Sequence, residues 1–275
     1  MSKTNRTFLT LAVVAMAFAT LALPAGAASI SLTATGDNTI LDGSLDDDNY
    51  GDFVIASGTA GSLTQRSILR FDVSALDGLY STIDSITLRL FYWDDSSPGF
   101  GTEEVTTNVH AITAANRAWI AGTSTGGAGA GESTWNNLAH SATPWAGSAG
   151  LSTAGTDYDS TVLGSQTIDL SDLPAAGTAF DFTFTGTSAA LTALIDTWMV
   201  DNVDNSQANP GLLMRDPDPT FDLGERNRFV ASSMEDANAA LRPELIVNYT
   251  VIPEPATMSL LALGGIAMLR RRRRA

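Results

Sequence analysis

The sequence predicts an all-β protein with one short helix. Three observations carry this. Apolar and polar residues alternate with period two in segment after segment. Clusters of glycine, asparagine and aspartate separate those segments. The stretch between the two chain ends, residues 28–250, has a length that one sandwich or barrel can fill.

In chain order, the segments 30–35, 53–57, 66–73, 83–93, 105–112, 166–170, 180–184, 211–215, 228–232 and 245–249 read as strands. The pattern is clearest where Leu69, Phe71 and Val73 share one face, and again for Ile86, Leu88, Leu90 and Tyr92 with Thr87 and Arg89 opposite. Phe180, Phe182 and Phe184 alternate with Asp181 and Thr183 in the same way, as do Leu245, Val247 and Tyr249 with Ile246 and Asn248. About ten strands at this spacing point to a jelly-roll β-sandwich. One segment changes period: Leu191, Leu194, Ile195 and Trp198 recur at helical spacing, with Thr187 or Ser188 placed to cap a helix over 187–200. Residues 121–165, rich in Gly, Ala, Ser and Thr, are too long for an ordinary connection. They read as an excursion over the surface, where binding residues commonly sit.

Both ends are set apart by composition. Lys3 and Arg6 precede an apolar stretch from Phe8 to Leu23, and Ala25 and Ala27 form a small-residue cleavage pair. This is a secretory signal peptide over 1–27, to be cut after Ala27 by signal peptidase. At the other end, Pro253-Glu254-Pro255 leads into an apolar helix over 256–269 and an arginine tail over 270–274. A helix from Pro255 to Leu269 reaches about 22 Å against a hydrocarbon core of roughly 30 Å, a marginal transmembrane helix suited to a transient hold. The arginines stay on the cytoplasmic side. Segment 251–275 resembles the PEP-CTERM sorting signal of bacteria that make extracellular polysaccharide. The resemblance implies removal of the tail by an exosortase-type membrane protease. The protein would thus be held transiently at the inner membrane, then released or transferred to the cell surface or extracellular matrix.

With the two ends set aside, the domain keeps eight arginines, no lysine and 29 acidic residues, a net charge near −21. Such a surface repels nucleic acid and excludes it as a partner. It suits solubility, a saline habitat or the capture of cations, calcium above all. No cysteine is present, so burial rather than disulfides must hold the exported domain.

Several short motifs resemble a known domain when taken in order. They are Asp48-Asn-Tyr-Gly51, Ser67-Ile-Leu-Arg-Phe-Asp72, Ile86-Thr-Leu-Arg-Leu90, Glu132-Ser-Thr-Trp-Asn-Asn137, the helix ending at Trp198, Asn209-Pro-Gly-Leu-Leu213 and Arg242-Pro-Glu-Leu-Ile-Val-Asn-Tyr249. The series is similar to the DNRLRE domain, an exported jelly-roll related to carbohydrate-binding modules. The resemblance implies a non-catalytic domain that binds extracellular polysaccharide. The glycine-rich segment 122–131 departs from it, and no catalytic domain accompanies it here.

Specific chemistry is sparse. Gly122-Thr-Ser-Thr-Gly126 matches G-x-S-x-G, but glycines follow where a nucleophile elbow needs a helix. With two histidines and no cysteine, a catalytic zinc site is not expected. The 29 acids guarantee chance pairs, so no pair marks a glycosidase or lyase, and the expectation is no enzyme. Asp46, Asp48 and Asn49 either present hard oxygen ligands to calcium or form a solvated acidic turn. Trp93, Trp145 and Tyr158, at strand ends or in the excursion, are the candidates for stacking on sugar rings. Trp119 and Trp135 serve equally as core anchors.

Overall fold

A computed structural model describes residues 26–93, 104–204, 207–219 and 225–252. The candidate processing residues Pro253, Glu254 and Pro255, the apolar segment 256–269 and the arginine tail lie outside the described residues, as does most of the signal peptide.

The strands are β1 (Ala27–Leu41), β2 (Asp48–Asn49), β3 (Ile55–Ala60), β4 (Leu63–Phe71), β5 (Tyr80–Phe91), β6 (Glu104–Ala111), β7 (Gly126–Gly127), β8 (Asn137–Ala139), β9 (Thr143–Pro144), β10 (Gly164–Asp169), β11 (Ala179–Thr183), β12 (Leu212–Arg215), β13 (Arg228–Ala231) and β14 (Glu244–Val251). Among the described residues one α-helix, α1 (Ser188–Met199), lies between β11 and β12. Ten strands form one nearly closed sheet in the order β10-β6-β12-β4-β1-β14-β5-β11, with β3 paired to β4 and β13 to β3. Each of the ten segments predicted from alternation falls on one of these ten strands. Among the described residues the all-β class with a single short helix is thus the observed one. The pairs β2-β7 and β8-β9 are small additions.

β1 joins the two layers. Its first half, Ala27 to Thr33, pairs with β14, and its second half, Ala34 to Leu41, pairs with β4. The register slips at a bulge between Ala34 and Gly36, where the strand bends from one layer into the other. Leu69 and Phe71 of β4, Leu88 of β5, Phe182 of β11, Leu212 of β12, Phe229 of β13 and Val247 of β14 fill the interior between the layers. The sheet comes round on itself where Tyr92 bridges Ala231 and Trp93 N–H donates to the Val230 carbonyl.

Helix α1 begins as its sequence dictates. Thr187 caps it by accepting from the Ala190 N–H, and Leu191, Ile195 and Trp198 are buried against the sheet. It is fastened to the start of β5, where Ile83 N–H donates to the Thr192 hydroxyl at 2.8 Å.

The two layers differ in burial. The first half of β1 alternates exposed and buried, while its residues 36–41 are buried without interruption, as is most of β4. The cause is residues 119–158, and here the expectation is corrected. They are not a surface excursion but a third layer with its own apolar core, in which Trp119, Leu138, Trp145, Leu151 and Tyr158 pack on Ile40, Ile68, Ile112 and Leu213. The outer face of that half of the sheet therefore carries apolar side chains. Three arginines cross between the layers. Arg66 stacks on Trp135 at 4.8 Å, Arg70 on Trp119 at 4.1 Å and Arg215 on Tyr158 at 5.4 Å. Arg70 also donates to the carbonyls of Arg117 and Trp119. Burial lowers both the Arg66 and Arg70 guanidiniums to about 10.

Candidate functional site

β5 carries the chain from one pole of the molecule to the other. At its far end Trp93 meets Phe53, which precedes β3 and is 41% exposed. Their ring centroids are 6.4 Å apart, and Tyr50 stands edge-on to Phe53 at 6.0 Å. The two rings open onto a cleft of about 130 Å³ whose other walls include Asp52, Ser232, Ser233, Glu235 and Asp236. Apolar ring surface thus lies beside hydroxyl and carboxylate oxygens, the combination that holds a polar ring compound by stacking and by hydrogen bonds.

Behind this cleft is an acid that sequence reasoning did not single out. Asp37 of β1 is 2% exposed, and its carboxylate accepts from the Met234 N–H at 2.7 Å. Burial, followed by the neighbouring Glu235 charge, pushes Asp37 up to about 8 against the lowering effect of the Met234 N–H. Glu235 is raised as well, first by burial and in part by the Asp52 charge. Asp37 lies opposite Leu69 on the inner face of β1, past the segment 30–35 that alternation marks as a strand.

Of the predicted aromatic residues, Trp93 lines this cleft. Trp145 is 3% exposed and donates its indole N–H to the carbonyls of Thr134 and Trp135, both at 3.0 Å. Tyr158 is 7% exposed, edge-on to His110 at 4.8 Å, and its hydroxyl accepts from Arg215. Neither presents a ring face to solvent, because the segment that carries them folds inward as a layer.

The predicted calcium residues are not assembled either. Asn49 is 0% exposed and committed on both sides of its amide. Its Nδ2 donates to the carbonyls of Ala121 and Ser133, and its Oδ1 accepts from the N–H groups of Gly51 and Ser124. Asp48 accepts from the Tyr50 hydroxyl at 3.2 Å, while the Asp46 carbonyl accepts from Asn136 N–H. Among the described residues no group of three or more His, Asp or Glu side chains is arranged to hold a metal ion. The G-x-S-x-G segment runs into β7, not a helix, and its Ser124 hydroxyl lies 3.4 Å from Glu132.

A second cleft, of about 360 Å³, lies beside the end of β4 and is lined by Thr35, Arg70, Phe71, Asp72, Asn202 and Gln207. The ordered motifs converge beside it for structural reasons. Asn209 donates to the Phe71 carbonyl, Trp119 donates to the Pro210 carbonyl, and a Cβ on Gly211 would stand 2.1 Å from the Leu69 carbonyl oxygen. With φ at +83°, glycine is required at that position.

The two ends of the described domain meet at the pole opposite the aromatic cleft. Ala27 faces Thr250 across the β1–β14 ladder, and Val251 N–H donates to the Gly26 carbonyl at 3.0 Å. Ile252 N–H donates to the Leu79 carbonyl, also at 3.0 Å. No helix among the described residues is long and apolar enough to cross a membrane.

The fold and this end geometry define an all-β domain whose last strand runs directly into a distinct C-terminal segment. That segment, residues 251–274, matches the PEP-CTERM protein-sorting motif. The motif marks an exported protein that an exosortase, a membrane protease, recognises, with transient anchoring at the membrane before display at the cell surface. No curated protein matches the chain.

Proposed function

We propose that this is a non-catalytic component of the cell envelope or extracellular matrix that binds polysaccharide at the Phe53–Trp93 cleft. The observation that carries the reading is that aromatic pair, Phe53 exposed and Trp93 half-buried, set among hydroxyl and carboxylate oxygens at the edge of the sheet. Its position supports the reading too. The thirteen residue steps from Tyr80 to Trp93 span roughly 40 Å at strand rise, so the cleft faces outward while the tail holds the other pole. The order of short motifs and the sheet-rich fold are compatible with a DNRLRE-type jelly-roll, and a carbohydrate-binding module is the role that kinship suggests. In this reading signal peptidase removes 1–27, an exosortase-type protease removes the tail, and the domain joins the matrix without a metal. A purely structural matrix protein would share everything but the cleft.

An enzymatic role draws on Glu235 in the cleft wall. Its neighbour Asp37, however, is sealed behind the wall and occupied with the Met234 N–H, so it cannot act with Glu235 on a bound sugar. Affinity electrophoresis of the exported form through gels containing the producer's own polysaccharide tests the proposal. Retardation is expected, and Phe53→Ala and Trp93→Ala should abolish it while the melting temperature stays within a few degrees. A wild-type protein that migrates unretarded through every acidic and neutral glycan tried would end the proposal. Release of shortened sugars would turn it into an enzyme.

A further inference from the structure

β14 is both the last strand of the sheet and the start of the sorting motif, which begins at Val251. Ile252 alone separates the strand from Pro253. Proteases commonly take their substrate as an extended strand and pair their own main chain with it. For a cut at the Pro253-Glu254-Pro255 tripeptide, the residues to be gripped on the acyl side are Thr250, Val251 and Ile252. Those residues are already paired, to Gly26 and Ala27 on one side and to Leu79, Tyr80 and Thr82 on the other. They cannot serve both partners. The spacer is short as well, since residues 253–257 can span at most about 18 Å before the apolar run at Met258.

The β1 side of this clasp consists of residues that the N-terminal cut would remove. A chain cut after Ala27 loses the Gly26 carbonyl that holds Val251 and the Ala27 backbone that faces Thr250. On the β5 side the register already slips between Asn248 and Tyr249 and again between Thr250 and Val251. Such irregularities mark where a ladder gives way. Leu245 and Val247, both 0% exposed, keep the rest of β14 in the core, so opening stays local.

We propose that the end of β14 is a gate on tail removal, and that cutting the N-terminal signal opens it. Processing then runs in one order. The first cut strips Thr250 and Val251 of their β1 partner, the freed end peels from β5, and the membrane protease takes it. The second cut breaks one peptide bond. The domain keeps the acyl half and passes it to water or an acceptor amine, and the tail leaves with the amine. This rests on the reading of both end signals as processing signals.

The test follows both ends by pulse labelling during export from the producing bacterium. Ala27→Trp, which blocks the first cut, should slow tail removal at least tenfold, while Pro253→Ala with Pro255→Ala should leave the first cut at its normal rate. A second variant locks the gate directly. Thr82 and Thr250 face each other across the ladder and the chain has no cysteine, so Thr82→Cys with Thr250→Cys forms one unambiguous disulfide. The locked chain should lose its signal peptide normally and keep its tail. Reduction, or eight Gly/Ser residues inserted before Pro253, should restore removal at least tenfold. A locked chain that sheds its tail at the wild-type rate overturns the proposal, and so does an insertion that restores nothing. If the double proline substitution leaves tail loss unchanged, it is the sorting reading that fails instead.

Discussion

Replacing Asp37 by asparagine should flatten the pH dependence of stability. Asp37 sits in the second half of β1, opposite Leu69, with its carboxylate on the Met234 N–H and Glu235 beside it. Its folded pKa of about 8 stands above the unfolded value near 3.8, so the folded state binds the extra proton. The stabilisation this proton provides is complete below about pH 4 and is lost as pH rises through 8. Roughly four pKa units at about 1.4 kcal/mol each set an upper limit near 6 kcal/mol, and local relaxation and water entry reduce this to about 2–3 kcal/mol. Glu235, raised in the same direction, adds to the slope. The other charges facing the pair are Asp52 and Arg242, whose effects on Glu235 oppose one another. Asparagine keeps a carbonyl for Met234 and carries no charge. Urea unfolding of the exported form at pH 5, 7 and 9 is the assay. The wild type should lose stability steadily over that range, and Asp37→Asn should lose less and be the more stable protein at pH 9. Parallel profiles for the two proteins, or an asparagine variant that weakens further as pH rises, would refute the argument.

Other expectations concern the outer layer and the surface. Trp145→Ala should cost about 3–5 kcal/mol in urea unfolding, because it empties the third layer and strands two carbonyls. In the fraction that stays folded, sugar retention should not change. Asn49→Ala leaves two carbonyls and two N–H groups without their partner and should cost about 2–4 kcal/mol, while calcium added after chelation should leave the melting temperature where it was. Thr187→Ala removes the cap of α1 and should cost about 1 kcal/mol. Arg89→Ala breaks an ion pair with Asp181 whose side chains are 36% and 41% exposed, so it should shift stability by less than about 1 kcal/mol, and less still in high salt.

Strands with one wet face were easy to read, since Ile86, Leu88 and Leu90 alternate with polar neighbours in sequence as they do in the sheet. Residues 121–165 were not, because before β10 their regular structure amounts to three short pieces, β7, β8 and β9, and glycine-rich composition resembles exposed loop. What makes residues 119–158 a layer is their shared apolar core with Ile40, Ile68 and Leu213 and the stacking of Trp119 and Trp135 on the arginines of β4, contacts across many residues that no local window reports. Ile68 and Leu213 were the available hint: apolar side chains on what should have been a wet face. The same blind spot placed Trp145 and Tyr158 at the surface. Trp93 was found because it ends a strand, but Phe53 was read as part of β3 and Asp37 fell past the expected end of β1. The sorting tail needed no fold at all, being written in composition alone.

The arrangement of poles has a mechanical side. A ligand gripped near Trp93 and an attachment near Ile252 would pull along β5 and β14 in opposite directions, since these two antiparallel strands link one pole to the other. Tension of that kind loads the whole ladder at once, as shear, so that the rungs resist together. Tension between the two chain ends, by contrast, would part β1 from β14 one rung at a time. Drawn one way the molecule is a rope; drawn the other, a zip fastener.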